Sequence, residues 1–185
     1  MWILWWSLAG VCWFAWLYPF LFRAPHGQQR ASITVAGPTR AGLLLELLAI
    51  VAAFTFHMPL DSRPGLIRVV LAVGLAAGSV AMGWRAVIHL GRQFRVQAGL
   101  YHDHQLVRTG PYAYVRHPIY TSFLGMLVCT VLLVTRLEWA PLAVILFIAG
   151  TEIRVRTEDA LLASRFGHDF HAYRKAVVAY IPFLR

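Results

Sequence analysis

Five stretches of this chain run for fifteen residues or more with at most two charged side chains each: residues 2–22, 41–60, 66–90, 119–134 and 139–153. A helix needs about twenty apolar residues to cross about 30 Å of hydrocarbon, where every backbone group must find its partner inside the segment. The first three stretches meet that length. The last two are shorter, and only the turn at 135–138 separates them, so they read as a helical hairpin that is tilted or only partly crosses. The first stretch has no basic segment before its apolar core and no small-x-small cleavage site near its end, so it reads as a retained span and not as a removed signal. Composition agrees, with 59% of the 185 residues hydrophobic, 14% charged and a mean hydropathy of +0.61; a soluble domain is usually about a quarter charged. The expected fold class is an all-α integral membrane protein, one domain over residues 1–185 with about five transmembrane helices.

The net charge is +9, from 17 Lys and Arg against 8 Asp and Glu. Such basicity suggests nucleic acid, but the basic residues are dispersed between apolar segments, where they set membrane orientation. Arg23, Arg30 and Arg40 lie between the first two spans, Arg92, Arg95, Arg108 and Arg116 after the third, and Arg154, Arg156, Arg165, Arg174, Lys175 and Arg185 after the fifth. The alternate loops hold only Arg63 and Arg136, with Arg68 just inside the third span. Five spans put every Arg-rich segment on one side, the cytoplasm, with the N-terminus outside; four or six would break the pattern. Residues 91–118 and 154–185 then share the cytoplasmic face. In the second of these, Leu161, Leu162, Phe166, Phe170, Tyr173 and Val177 recur at helical spacing, which predicts a C-terminal amphipathic helix kinked or divided at Gly167. Membrane lipids are expected partners and nucleic acid is not.

Within the spans, Gly74, Gly78 and Gly83 recur at about one-turn spacing, a pattern that lets helices approach closely in lipid. Glu46 is a carboxylate inside the second span, with Arg40 as its expected partner near the interface. Cys12 and Cys129 lie in apolar runs and read as small buried hydrophobes.

Several polar residues stand where chemistry is possible. Arg154 and Glu158 are four apart and share a helix face; Asp159, next to Glu158, should point elsewhere. His117 precedes Pro118, which favours extended backbone at the histidine and suits the first turn of the helix that follows. The start of a helix is a natural place for a carboxylate or phosphate. Tyr112, Tyr114 and Tyr120 can box a cationic or planar ligand or anchor the interface. His102, Asp103 and His104, and the pair His168 and His171, do not supply a full ligand set, so no metal site is expected.

The order of these pieces carries a resemblance. LGRQF (90–94), Gln97, HQLVRTGPYAYVRHPIY (104–120) and, after the hydrophobic hairpin, RVRTEDALLASRFGHDFHAYRKAVVAYIPF (154–183) together resemble the isoprenylcysteine carboxyl methyltransferase family, whose superfamily includes phospholipid N-methyltransferases. The resemblance covers about residues 84–184. It implies a membrane enzyme that uses S-adenosylmethionine without a soluble Rossmann domain and methylates a lipophilic substrate, a prenylcysteine-like carboxylate or a lipid headgroup, at the cytoplasmic face. Residues 1–90 would form three N-terminal spans and residues 91–185 the cofactor-binding half. The family's cofactor contacts fall on Gln97, His104, Gln105, Leu106, Val107, Tyr112, His117, Pro118, Ile119, Tyr120 and Glu158; its substrate-side arginine falls on Arg154, and Arg154 and Glu158 are the expected catalytic pair. Which cofactor atom meets which residue stays open. Two departures stand out: the family's usual Glu-Glu pair is Glu158-Asp159 here, and Phe170 replaces a common Tyr. Five spans are fewer than in eukaryotic members and similar to small prokaryotic ones, so a prokaryotic plasma membrane is the expected location. Two other readings remain: an NADPH-dependent membrane reductase of the sterol-reductase type, with Arg95, Arg108 and Arg116 available to a 2′-phosphate, and a non-catalytic scaffold on anionic lipid.

Overall fold

A computed structural model describes residues 2–23, 33–34, 36–94, 99–100 and 104–181. Its main elements are helices α1 (Trp2–Tyr18), α2 (Ala36–Thr55), α3 (Leu66–Leu90), α4 (Pro118–Val134), α5 (Ala140–Phe166) and α6 (His168–Ala176). Two short strands, β1 (Ile33–Thr34) and β2 (Gly99–Leu100), pair antiparallel. Among the described residues, the segments 3–22, 37–55 and 66–93 are helical and long and apolar enough to cross a membrane, and α4 is a shorter apolar helix. The chain is thus a mostly helical integral membrane protein.

The third stretch matches α3 residue for residue, and Pro118 opens α4 one residue before the expected start. The second stretch is displaced. Helix α2 begins at Ala36, because Pro38 falls in its first turn, where a missing N–H costs nothing. It stops at Thr55, before Pro59, because the chain beyond it pairs with the turn after α4: Met58 N–H donates to Val134 O at 2.8 Å and Arg136 N–H to Phe56 O at 2.9 Å. Thr135 Oγ1 donates to Ala53 O at 2.7 Å. The Arg68 guanidinium donates to the carbonyls of Leu132, Val131 and Thr135 at 2.9–3.0 Å. It thereby closes the C-terminal turn of α4, whose last carbonyls have no partner within the helix.

The largest departure is α5. A fifth span ending at 153 and a separate amphipathic helix were expected; instead one helix of 27 residues runs through Arg154 and Glu158 without a break. Gly167, at φ +50°, ends it and starts the nine-residue α6. Leu161, Leu162 and Phe166 therefore belong to α5, and Phe170 and Tyr173 to α6.

Helix α2 packs along α5, α3 along α4, and α1 against both α3 and α4. One apolar cluster joins Trp16, Ala72, Ala76, Met126, Cys129 and Leu133; a second joins Ala49, Ala53, Leu127, Val131, Ala143 and Phe147. Phe123 packs against both. Large apolar side chains such as Phe14, Leu44, Ile67 and Val70 point outward, as expected of helices solvated by lipid. The close approaches lie elsewhere than the glycine spacing in α3 suggests. Gly74 and Gly78 face open space, and only Gly83 is tight, against Trp16 and Ser122. Backbone meets backbone between α2 and α5: a Cβ on Gly42 would fall 2.6 Å from Gly150 O, and one on Gly150 would fall 2.5 Å from Gly42 O.

Candidate functional site

Where α3 ends and α4 begins, the bundle encloses a cavity of about 430 Å³. His104, Gln105, Leu106, Val107, Tyr112, His117, Pro118, Ile119, Tyr120, Arg154 and Glu158 all line it. Gln97 lies outside the described residues. Tyr114, the third tyrosine of the motif, does not line the cavity and is 80% exposed. Much of the remaining wall is apolar: Trp16 in α1 and Phe20 just after it, Leu43 in α2, Leu90 in α3, Phe123 in α4, and Leu161 and Leu162 in α5.

The RHP segment is built by long-range pairing. Val115 forms a parallel bridge with Val178, Arg116 N–H donates to Val178 O at 2.9 Å, and His117 N–H donates to Ala179 O at 2.8 Å. Thr121 Oγ1 donates to Tyr180 O at 2.6 Å. The His117 amide is thus taken by the tail and does not face a ligand; the amides of Ile119 and Tyr120 remain in the first turn of α4.

The adjacent acids of α5 do not diverge as expected. His117 lies between them, with Nε2 2.9 Å from Asp159 Oδ1 and Nδ1 3.3 Å from Glu158 Oε2. Successive side chains on a helix point about 100° apart, but one imidazole with a nitrogen on each edge meets both. Burial alone would push the His117 pKa down; its hydrogen bonds to Asp159 and Glu158 overcome that and raise it to about 9. The ring is therefore an imidazolium at neutral pH. Burial likewise works against the Asp159 carboxylate, yet hydrogen bonding to His117 and the Arg116 guanidinium, 3.0 Å away, hold its pKa below the usual range. Glu158 is partly open to the cavity, its side chain 26% exposed, and accepts a 2.5 Å hydrogen bond from Tyr120 Oη.

Arg154 sits at the back of the same cavity, its guanidinium 4.9 Å from the Tyr120 ring centroid. Its ion-pair partner is Glu46: Nη1 lies 2.5 Å from Glu46 Oε2, while Thr151 Oγ1 donates to Glu46 Oε1 at 3.0 Å. This corrects the pairing of Glu46 with Arg40. Glu46 is wholly buried and faces α5.

Of the arginines available to a 2′-phosphate, Arg108 contacts Asp169 and lies over the Tyr173 ring, Arg116 is engaged with Asp159 and Val177 O, and Arg95 lies outside the described residues. Among the described residues no group of three or more His, Cys, Asp or Glu is arranged to hold a metal.

Glu46, Asp159 and Arg116 are polar residues of this region that the sequence shows but to which the motifs assign no part in the methyltransferase site. An intramembrane carboxylate was the available signal for Glu46. Gln93 was within a quoted motif but received no role; it lines the cavity with Oε1 buried and without a hydrogen-bond partner among the described residues.

A helical membrane protein with a mostly apolar cavity, lined at one end by a carboxylate, an imidazolium and an arginine, is what fold and site define. The chain belongs to the isoprenylcysteine carboxyl methyltransferase (ICMT) family: the family's sequence profile matches residues 71–164, just over half of its length. It is 35% identical over 101 residues to the protein-S-isoprenylcysteine O-methyltransferase of Schizosaccharomyces pombe, covering 54% of this chain and 43% of that protein. With the protein of the same name from Saccharomyces cerevisiae it shares 34% identity over 86 residues, 44% of this chain and 34% of the relative. The match therefore spans less than half the length of either relative.

Proposed function

We propose that this protein is a membrane methyltransferase that uses S-adenosylmethionine and methylates a lipophilic acceptor, a prenylcysteine-like carboxylate or a lipid headgroup. One observation carries the reading. Two pieces of chain distant in sequence, 104–120 and 154–158, converge on one cavity in which His117 and Glu158 are in contact. The donor set suits the cofactor. Gln93 Oε1 is a buried acceptor without a donor among the described residues, Glu158 offers a carboxylate at the surface of the cavity, and Tyr112 and Tyr120 offer ring faces. Gln97 joins this set by family resemblance.

Bound S-adenosylmethionine supplies a methyl group on a positively charged sulfur, which an oxygen or nitrogen nucleophile displaces in line. Glu158 accepts hydrogen bonds from an ammonium or ribose hydroxyl, and the amides of Ile119 and Tyr120 face a carboxylate at the start of α4. The backbone of 104–107 offers an edge to a heterocycle. Arg154 orients the acceptor's anionic head through its planar fork. The apolar walls exclude water, so an acceptor already ionised needs positioning and desolvation more than a base. His117 and Asp159 act through Glu158, holding its carboxylate toward the cavity.

The topology belongs to the same proposal: five spans, with α4 and α5 as the hairpin, the N-terminus outside, and the cavity and C-terminal segment at the cytoplasmic face. Residues 1–90 supply three spans and residues 91–185 most of the cofactor contacts. Span number alone points to a prokaryotic plasma membrane; the two relatives are yeast proteins.

The test is calorimetric titration of the detergent-solubilised protein with S-adenosylhomocysteine, followed by incubation of methyl-labelled cofactor with lipid extract and with farnesylated N-acetylcysteine. Binding that is lost in Glu158→Ala, with label in an alkali-labile ester, supports a carboxylate acceptor; stable label in a headgroup supports an amine. Binding of NADPH in place of S-adenosylhomocysteine overturns the proposal.

A further inference from the structure

The buried carboxylate of Glu46 has no place in the chemistry above, yet the fold is arranged around it. It lies midway along α2, wholly buried, and both its oxygens are engaged by α5: Oε2 with Arg154 Nη1 at 2.5 Å and Oε1 with Thr151 Oγ1 at 3.0 Å. Thr151 and Arg154 are three apart and so share a face of α5. A glutamate reaches both only where the helices come close, and one turn away they do. A Cβ on Gly42 would fall 2.5 Å from Arg154 Cγ, and one on Gly150 would fall 3.0 Å from Glu46 N. Two glycines thus bring α2 onto the stem and head of Arg154.

The cavity is on the other side of that arginine. Arg154 lines it, whereas Glu46 does not. The guanidinium lies over the Tyr120 ring, and Tyr120 Oη donates to Glu158. A continuous row, Glu46, Arg154, Tyr120, Glu158, therefore runs from the α2–α5 interface to the cavity wall. A flexible arginine loses much of its orienting power if its head can swing; a carboxylate behind it fixes which edge of the fork faces the acceptor.

We propose that Glu46 is a positioning residue for Arg154, holding the guanidinium from behind so that its orientation toward the acceptor's anionic head is fixed. This rests on the methyltransferase reading. Glu46→Gln keeps size and the contact with Thr151 but removes the charge. A misplacement of about 1 Å can cost about a hundredfold in rate, so E46Q should lower kcat for farnesylated N-acetylcysteine by about ten- to a hundredfold. The affinity for S-adenosylhomocysteine should stay at the wild-type value, since Glu46 does not reach the cavity. Residues acting as a unit are not additive, so E46Q combined with Arg154→Ala should be no slower than R154A alone. Thr151→Val, which removes one of the two bonds on the carboxylate, should give a smaller fall in kcat of the same kind and serves if E46Q does not fold. Full activity in both E46Q and T151V, an additive loss in the double variant, or an equal loss of S-adenosylhomocysteine affinity overturns the role. Wild-type protein that methylates no acceptor overturns the methyltransferase reading, and this role with it; active wild type with unimpaired variants overturns the role alone.

Discussion

The pair Glu46–Arg154 and the cluster around His117 lie about one turn apart along α5, but they are built differently. The first joins two apolar helices through one cation and one fully buried anion, with a single hydroxyl as support. The second gathers His117, Arg116, Glu158 and Asp159 from a loop and a helix end, with Arg174 Nε 4.0 Å from Asp159. Removing one member of the first leaves a charge stranded in an apolar interface. Removing one member of the second leaves every other group with a partner. Stability should therefore depend most on the first, and the response to pH on the second.

The largest effect is expected from Arg154→Ala. It removes the head proposed to orient the acceptor and strands Glu46, and breaking a buried pair costs about 3–5 kcal/mol. Thermal melts should show that loss, and turnover should fall well below that of E46Q while S-adenosylhomocysteine still binds; a variant as stable as wild type would break the comparison. Next comes pH. The His117 pKa is raised, so its contribution is complete below about 6.5, the ordinary histidine value, and is lost as pH rises through about 9. At about 1.4 kcal/mol per pH unit this amounts to at most about 3.5 kcal/mol. Asp159 has the opposite sign: its contribution is complete above the ordinary carboxylate value and fades on acidification below it. The melting temperature should fall between pH 7 and pH 10, and His117→Asn should flatten that fall; an unchanged slope would remove the imidazolium from the account.

Gly42→Ala should follow. Its methyl meets Arg154 Cγ and Gly150 O, and overpacking of this kind costs about 1–3 kcal/mol. Gly74→Ala, facing open space, is the control and should melt like wild type. The smallest effect is expected from Tyr173→Phe, which removes a 2.5 Å hydrogen bond to Tyr112 O beside the cavity. A loss of about 1 kcal/mol is typical of such a bond, and titration should show only a modest weakening for S-adenosylhomocysteine.

Much of this was legible in the sequence, for local reasons. Helix α3 is bounded by Gly65 and Gly91, and Pro118 can stand only at the start of α4, so those elements could be placed closely. The motif residues around His117 and Glu158 could be brought together because the resemblance joins them. The partner of Glu46 could not be read, since no local pattern says that α2 lies along α5. Arg40 was the nearest cation in sequence, while the true partner is 108 residues away. The continuity of α5 was missed because its composition turns polar at Arg154, and a change of solvent was taken for a change of element. Arginine and glutamate are good helix formers, and the backbone stops only at Gly167. The joint grip of Glu158 and Asp159 on one ring was hidden because helical geometry separates neighbours, and only the ring between them reunites them.

The tail that binds the RHP segment has a consequence for biogenesis. The carbonyls of Val178, Ala179 and Tyr180 take the amides of Arg116 and His117 and the hydroxyl of Thr121. The apolar helices can therefore be inserted and packed first, because the backbone at His117 is not anchored until the residues near 180 have left the ribosome. A nascent chain stalled before that point would hold its packed helices but leave the backbone of the RHP segment without these partners.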